Sequence, residues 1–374
     1  MKQIVLVVAS AALLAACGDA GEFQGQVDVD GVEVGEVEQA SSISDKIKGK
    51  FLFEKETFQG NGRTCETCHS GSDGQVSPQE AQQRFNKNPN DPLFRSIDSD
   101  DGVGNSFARL LEDATVLVHI PLPPGWTLAD DPAATSVTLA RGIPTTNNVP
   151  STDDIFMYDG RNLTLEAQAL GAVNAHAQPG RQPTNMELEL IADHQQTFSF
   201  FSDFRIRQYA NGGPEPTLPQ GITQAQKRGR KWFEQTPGGV CAHCHSGPML
   251  NHTNQFLLAP LPPGSRFFTA FVSELNKAGN EVKTFNVAQS DGTVVQVQTP
   301  DPGRALITGN VADVNNFRIP TIWGAKDTAP YFHDNSAKNL QEMMVHYSDY
   351  FQIVGLPALT AQEQSDIIAF TQLL

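Results

Sequence analysis

Hydrophobic and polar residues along the chain fall into blocks with different periods. Ile4 to Ala16 is an apolar run of 13 residues directly behind Lys2, too short to span a bilayer as a finished helix and placed as a leader would be. From Ser41 onward the pattern becomes that of a folded domain. "KGKFLFEKETFQGNGRTCETCH" (48–69) and "RGRKWFEQTPGGVCAHCH" (228–245) each predict an amphipathic helix followed by a turn. "LELIADHQQTF" and the apolar run before "HAQPG" also read as helices, the second stopped by Pro179-Gly180. "TVLVHIPLP" alternates as a strand does, and "SDGTVVQVQT" has a turn signal followed by strict alternation, a small hairpin. The Pro- and Gly-rich "YANGGPEPTLPQG" (209–221) marks a seam. The expectation is a mainly α fold of two helical domains, 41–212 and 213–350, with a small β-hairpin insertion within 251–310 and a helical tail over 351–374.

Composition places the protein. The 374 residues carry 42 Asp and Glu against 26 Lys and Arg, which argues against nucleic acid as a partner. The apolar run ends in "LAAC", so Cys17 stands where an acylated lipoprotein cysteine would, with a plain secretory signal as the alternative. Residues 18–40 hold seven acidic groups and no basic ones, a composition that reads as an acidic flexible tether. The expectation is an exported protein, periplasmic or at the cell surface, held to a membrane through a lipid at Cys17. Gly18 follows the cysteine where an inner-membrane retention aspartate would stand, which favours the outer membrane.

Cysteine spacing supplies the chemistry. With Cys17 assigned to the leader, the other four fall into "CETCH" (Cys65, Cys68, His69) and "CAHCH" (Cys241, Cys244, His245). C-x-x-C-H is a covalent haem c attachment motif: two thiols one helical turn apart reach two vinyl groups, and the adjoining histidine lies beneath the iron. Two covalently bound haem c groups are therefore expected. A zinc site made from the two Cys pairs is the rival, and it leaves the histidine after each pair unexplained. His243, inside the second motif, reads as a solvent-facing filler. The segments before the motifs repeat: Gly49 matches Gly229, Phe53 matches Phe233 and Glu54 matches Glu234. The two domains thus read as cytochrome c-like.

Further motifs carry a family resemblance. "FRIPTIWGAKDTAPYFHDNSAKNLQEMMVHY" (317–347) and "RGIPTTNNVPSTDDIFMYDGRNLTLEAQALGA" (141–172) resemble, in order, the signatures of the bacterial di-haem cytochrome c peroxidase and MauG superfamily. The resemblance implies that peroxide reacts at the N-terminal haem and that the C-terminal haem transfers electrons. It puts Gln168 on the distal glutamine and Tyr158 where the family has a tryptophan between the haems. Gln178 stands in place of an active-site glutamate, and an amide cannot exchange that proton. The stretch "DDPAATSVTLARGIPTT" (130–146) has no histidine to close the first iron; His119, further upstream, is the distant candidate. For the second iron the distal ligand falls on Tyr347, with His346 as the alternative at the same axial position. Arg318, Arg161 and His333 become candidate haem-propionate or interface residues. The implied inter-haem calcium would use the carbonyls of Thr328 and Pro330, the family's side-chain donor being replaced by Gly142.

His176 is the open residue. It lies eight positions after Gln168 and two before Gln178, so acid-base catalysis, direct iron ligation and plain packing all stand. The expected function is a haem-dependent, cytochrome c peroxidase-like oxidoreductase acting on hydrogen peroxide or dioxygen, with a small cytochrome or cupredoxin as electron donor. A MauG-like or oxygenase-like enzyme oxidising a protein or organic substrate is the alternative. The non-enzymatic reading is a periplasmic di-haem electron-transfer cytochrome.

Overall fold

A computed structural model describes residues 43–374 except 72 and 260. The leader, Cys17 and the whole acidic segment 18–40 lie outside the described residues. Six helices organise the rest: α1 (Ile43–Glu54), α2 (Leu165–Ala172), α3 (Asn185–Gln195), α4 (Gln224–Arg230), α5 (Leu340–Ile353) and α6 (Ala361–Thr371). Their starts are written locally. Thr184, Thr223 and Thr360 cap α3, α4 and α6, with Glu187, Gln226 and Glu363 closing capping boxes, and Asn339 caps α5.

The internal repeat is a structural one. α1 packs on α3, and α4 packs on α6. At each crossing a repeat glycine admits the partner backbone: a Cβ on Gly49 would overlap the Leu190 carbonyl oxygen, and one on Gly229 the Asp366 carbonyl oxygen. Phe53 and Phe233, four residues on, are both buried. One core gathers Leu52, Phe53, Phe58, Val173, Leu188 and Ile191. A second gathers Ile206, Phe233, Met249, Trp323, Met344 and Phe370. The C-terminal helix α6 belongs to this second core, where it stands to α4 as α3 stands to α1.

A third core is built on strands. β1 (Thr115–Pro121) pairs antiparallel with β3 (Ser136–Gly142), Val118 opposite Leu139, while β2 (Trp126–Leu128) pairs with β4 (Lys283–Ala288) and β4 with β5 (Val294–Thr299). The hairpin read from "SDGTVVQVQT" is β4–β5. Its Phe285, Val287 and Val297 bury beside Val116, Val118, Val137 and Leu139, so the insertion from the C-terminal half completes a core of the N-terminal half. His119 lies exposed on β1, its Nδ1 2.8 Å from Thr138 Oγ1.

Candidate haem sites

The two C-x-x-C-H segments have matching local geometry. Cys65–Cys68 is one helical turn, and the His69 N–H donates to the Cys65 carbonyl at 2.9 Å. In the second copy the His245 N–H donates to the Cys241 carbonyl at the same 2.9 Å. Each histidine places Nδ1 against the carbonyl five residues on, Gly74 at 2.8 Å for His69 and Leu250 at 2.9 Å for His245. A ring held through Nδ1 offers Nε2 to a metal. Burial lowers both imidazoles from their ordinary value, the carbonyls partly offsetting it. Burial pushes the Cys65, Cys241 and Cys244 thiols up to about 12, which keeps them neutral. Paired thiols, a free imidazole nitrogen and an apolar surround are the donor set a c-type haem requires. Among the described residues no three His, Cys, Asp or Glu side chains converge as an ion site.

The His176 segment packs against the loop that leads into the first motif. Val173–Ala177 is a π-helical turn continuing α2, and Gln178 after it has φ 46°. Asn61 Nδ2 donates to the His176 carbonyl at 2.9 Å and to Gln178 Oε1 at 3.1 Å, while its backbone N–H donates to the Ala177 carbonyl at 2.8 Å. A Cβ on Gly60 would overlap that same carbonyl. Arg63, two residues before Cys65, is buried, pairs with fully buried Asp98 at 2.5 Å and reaches the His176 carbonyl at 3.4 Å. The imidazole of His176 is pushed down to about 4, chiefly by burial; Asp98 opposes this, and Arg63, Arg161 and His69 add to it. Gln168 is half-buried on α2 and Gln178 is exposed. Arg63, Asp98 and Asn61 were not singled out by the sequence reading. The available signal was a charged residue two positions before the first cysteine.

Between the halves lies a buried charge network. Arg141 donates to Asp301 at 2.7 and 2.8 Å and to Asp159 at 2.6 Å. Arg161 also holds Asp159, at 2.8 Å. His333 stacks on Phe317 with centroids 3.8 Å apart, sits 3.7 Å from Asp301 and meets the Tyr158 ring edge-on at 6.5 Å. The Arg318 N–H donates to the Tyr158 carbonyl at 2.7 Å, and its guanidinium to Asp153 at 2.6 Å. The structure thus brings Tyr158, His333 and Arg318 together, with Arg318 and Arg161 both engaged by carboxylates.

At the second motif, Tyr347 and His346 differ in surroundings. The Cys244 and Cys241 thiols act on the Tyr347 phenol, whose pKa burial raises above its ordinary value. His346 is 1 % exposed, lies 4.4 Å from the Phe332 ring and directs Nε2 to the Ala270 carbonyl at 2.7 Å. His243 is a correction: it is buried beside Phe256, because its 3-10 turn, Val240–His243, faces the protein rather than solvent. Gly142 donates its N–H to the His333 carbonyl at 2.7 Å, and the Asn335 amide fills the space a Cβ there would need.

No family profile matches the chain. It is 26% identical over 280 residues to the cytochrome-c peroxidase IdrP1 of a Pseudomonas strain, covering 63% of this chain and 70% of that one. It is 28% identical over 121 residues to the cytochrome c551 peroxidase of Nitrosomonas europaea, covering 32% of this chain and 26% of that one. In fold it is similar to a MauG-like protein associated with microbial copper homeostasis, with a TM-score of 0.52, 19% identity, and 91% and 90% of the two chains covered. Two matching C-x-x-C-H units, each with its helix pair crossing at a glycine, thus stand beside sequence similarity to cytochrome c peroxidases along most of the folded region and a fold similar to that of a MauG-like protein, which together support the di-haem cytochrome c peroxidase and MauG superfamily.

Proposed function

We propose that the protein is an exported, lipid-anchored di-haem enzyme that reduces hydrogen peroxide at the N-terminal haem, with electrons delivered through the C-terminal haem by a small cytochrome or cupredoxin. Cys65, Cys68 and His69 would hold one haem, and Cys241, Cys244 and His245 the other. When bound, the haems would supply the redox chemistry, peroxide reduction at one centre and electron transfer at the other.

The observation that carries the reading is the fastening of the His176 turn to the loop before Cys65 through Asn61, Arg63 and Gly60. His176 is held in its neutral form near neutral pH, so its ring takes a proton from incoming peroxide and returns it to the leaving oxygen. The Gln168 amide donates a hydrogen bond to that oxygen and does not itself titrate. Gln178, tied to Asn61, orients the turn. Tyr158 and the Phe317–His333 stack lie between the halves, where a through-protein electron path would run. Tyr347 would serve as a ligand of the second haem, with His346 as the alternative, and the Thr328 and Pro330 carbonyls would hold a calcium ion.

A MauG-like activity on a partner protein is the second reading, favoured by the phenol of Tyr347 beside the second motif and by an amide in place of the carboxylate at Gln178. Electron paramagnetic resonance of the resting diferric protein, followed by peroxide addition, tests the enzyme reading. A high-spin signal beside a low-spin one, with the high-spin signal consumed by peroxide, is expected. Two low-spin signals that ignore peroxide in the diferric and half-reduced forms make the protein an electron carrier. Peroxide consumption without turnover of a reduced cytochrome, together with oxidation of a protein partner, selects the second reading.

A further inference from the structure

α1 carries an apolar stripe that nothing in the folded unit covers. Ile43, Ile47 and Phe51 are 80, 65 and 55 % exposed, unusual for large apolar side chains grouped on one element. At about 100° of rotation per residue they fall within about 80° of arc, while Gly49, Leu52 and Phe53, the residues buried against the protein, centre on the opposite side. Lysines border the stripe: Lys46 and Lys50 on one edge, Lys48 on the other. Lys48 and Lys50 keep most of their side chains in solvent, with long pairings of 3.8 Å to Asp45 and 3.6 Å to Glu54. Glu54 is the one acidic residue on the stripe side, at the far end of the helix.

An apolar strip edged by lysines on a helix whose other face is anchored to a folded body is the composition of an interfacial helix: rings and branched chains enter the headgroup boundary while ammonium groups meet lipid phosphates. Position in the chain selects the bilayer as occupant. α1 is the first described element, with 25 residues (18–42) between it and Cys17; a flexible tether of that length, as the acidic composition reads, would average roughly 30 Å end to end. An anchor at Cys17 would keep α1 at high effective concentration beside the membrane, so weak contact suffices. Among the described residues no helix is long and apolar enough to cross a membrane; α1 would lie on it.

We propose that the Ile43–Ile47–Phe51 face of α1 is a membrane-docking surface for an anionic phospholipid bilayer, fixing the orientation of the folded unit on the membrane that holds its anchor. The proposal rests on the lipid-anchor reading, and its test removes the anchor so that the two can fail separately. The test uses full-length, haem-loaded protein carrying Cys17→Ser, mixed with vesicles of phosphatidylcholine alone or in equal mixture with phosphatidylglycerol, and followed by flotation. Cys17→Ser protein is expected to float with the phosphatidylglycerol vesicles, more weakly with neutral ones, and less as salt rises. Adding Ile43→Ser, Ile47→Ser and Phe51→Ser is expected to lower the bound fraction by about tenfold or more, with the melting temperature and peroxide response kept because these side chains are solvent-facing. Protein that ignores both vesicle types, or a triple variant that binds as its parent does, overturns the proposal. So does a parent that is dimeric in solution and a triple variant that is monomeric, since the stripe is then covered by a second copy. Acylation is read independently, from the mass of the N-terminal peptide of unsubstituted protein.

Discussion

Arg141 and Asp301, 160 residues apart, form a two-point ion pair at 2.7 and 2.8 Å in the interior, where β3 of the N-terminal half meets the insertion of the C-terminal half. The same guanidinium holds Asp159, next to Tyr158. A buried cation between two carboxylates joins segments that no shared helix connects.

Removing Asp301 leaves the buried guanidinium only Asp159, which Arg161 shares, so Asp301→Asn should destabilise the protein by about 3 kcal/mol, read by denaturant unfolding of the haem-loaded form. Burial raises the Asp301 pKa, but Arg141 and His333 outweigh it and the net shift is downward. Its contribution is therefore complete above the ordinary carboxylate range and is lost as pH falls through the depressed value. The Asp301→Asn variant should show a shallower loss of stability in acid than the parent.

The repeat glycines give a paired prediction. Gly49→Ala and Gly229→Ala each force a methyl group against a carbonyl oxygen of the neighbouring helix, Leu190 and Asp366, at a cost of roughly 1–3 kcal/mol each. Thermal unfolding should show both losses. Gly238→Ala, where an added Cβ meets nothing within 4 Å, is the control and should leave the melting temperature unchanged.

His176→Ala should lower peroxide turnover by roughly a hundredfold or more while leaving the resting absorption spectrum unchanged. A low-spin to high-spin conversion in the variant would instead mean that the imidazole binds iron. With its pKa pushed down to about 4, His176 acts as a base across neutral and mildly acidic pH, so the turnover profile should hold its plateau well below pH 6.5. The same depression favours the folded state above pH 6.5, and that contribution is lost as pH falls from 6.5 toward 4.

Tyr347→Phe should change the spectrum and raise the reduction potential of the C-terminal haem, because an oxygen ligand stabilises oxidised iron. His346→Gln should leave both close to the parent values, since His346 Nε2 already has the Ala270 carbonyl as its partner. Spectroelectrochemical titration of the two variants reads the difference. The opposite pattern would move the axial position to His346.

The sequence by itself determined what depends on neighbours a few residues apart. The C-x-x-C-H pairs, the capped helices, the β4–β5 turn and alternation, and the repeat of Gly49 and Phe53 at Gly229 and Phe233 are local patterns with local physical causes. Tertiary structure decided what depends on residues distant in the chain. The hairpin's apolar face looks the same in sequence whether it covers its own domain or another; only the space beside Val116 and Leu139 gives Phe285 and Val297 their place. Arg141 was legible as part of a motif, but its carboxylate partners lie 18 and 160 positions away. His346 and Tyr347 are adjacent on one helix and both meet the Phe332 ring, but a rotation of about 100° between them gives His346 the Ala270 carbonyl and Tyr347 the Cys241 and Cys244 thiols as neighbours. Gly142 has no side chain to donate, and it is Asn335, 193 residues later, that fills the space beside it. Burial makes such choices, and burial is a property of the assembled chain.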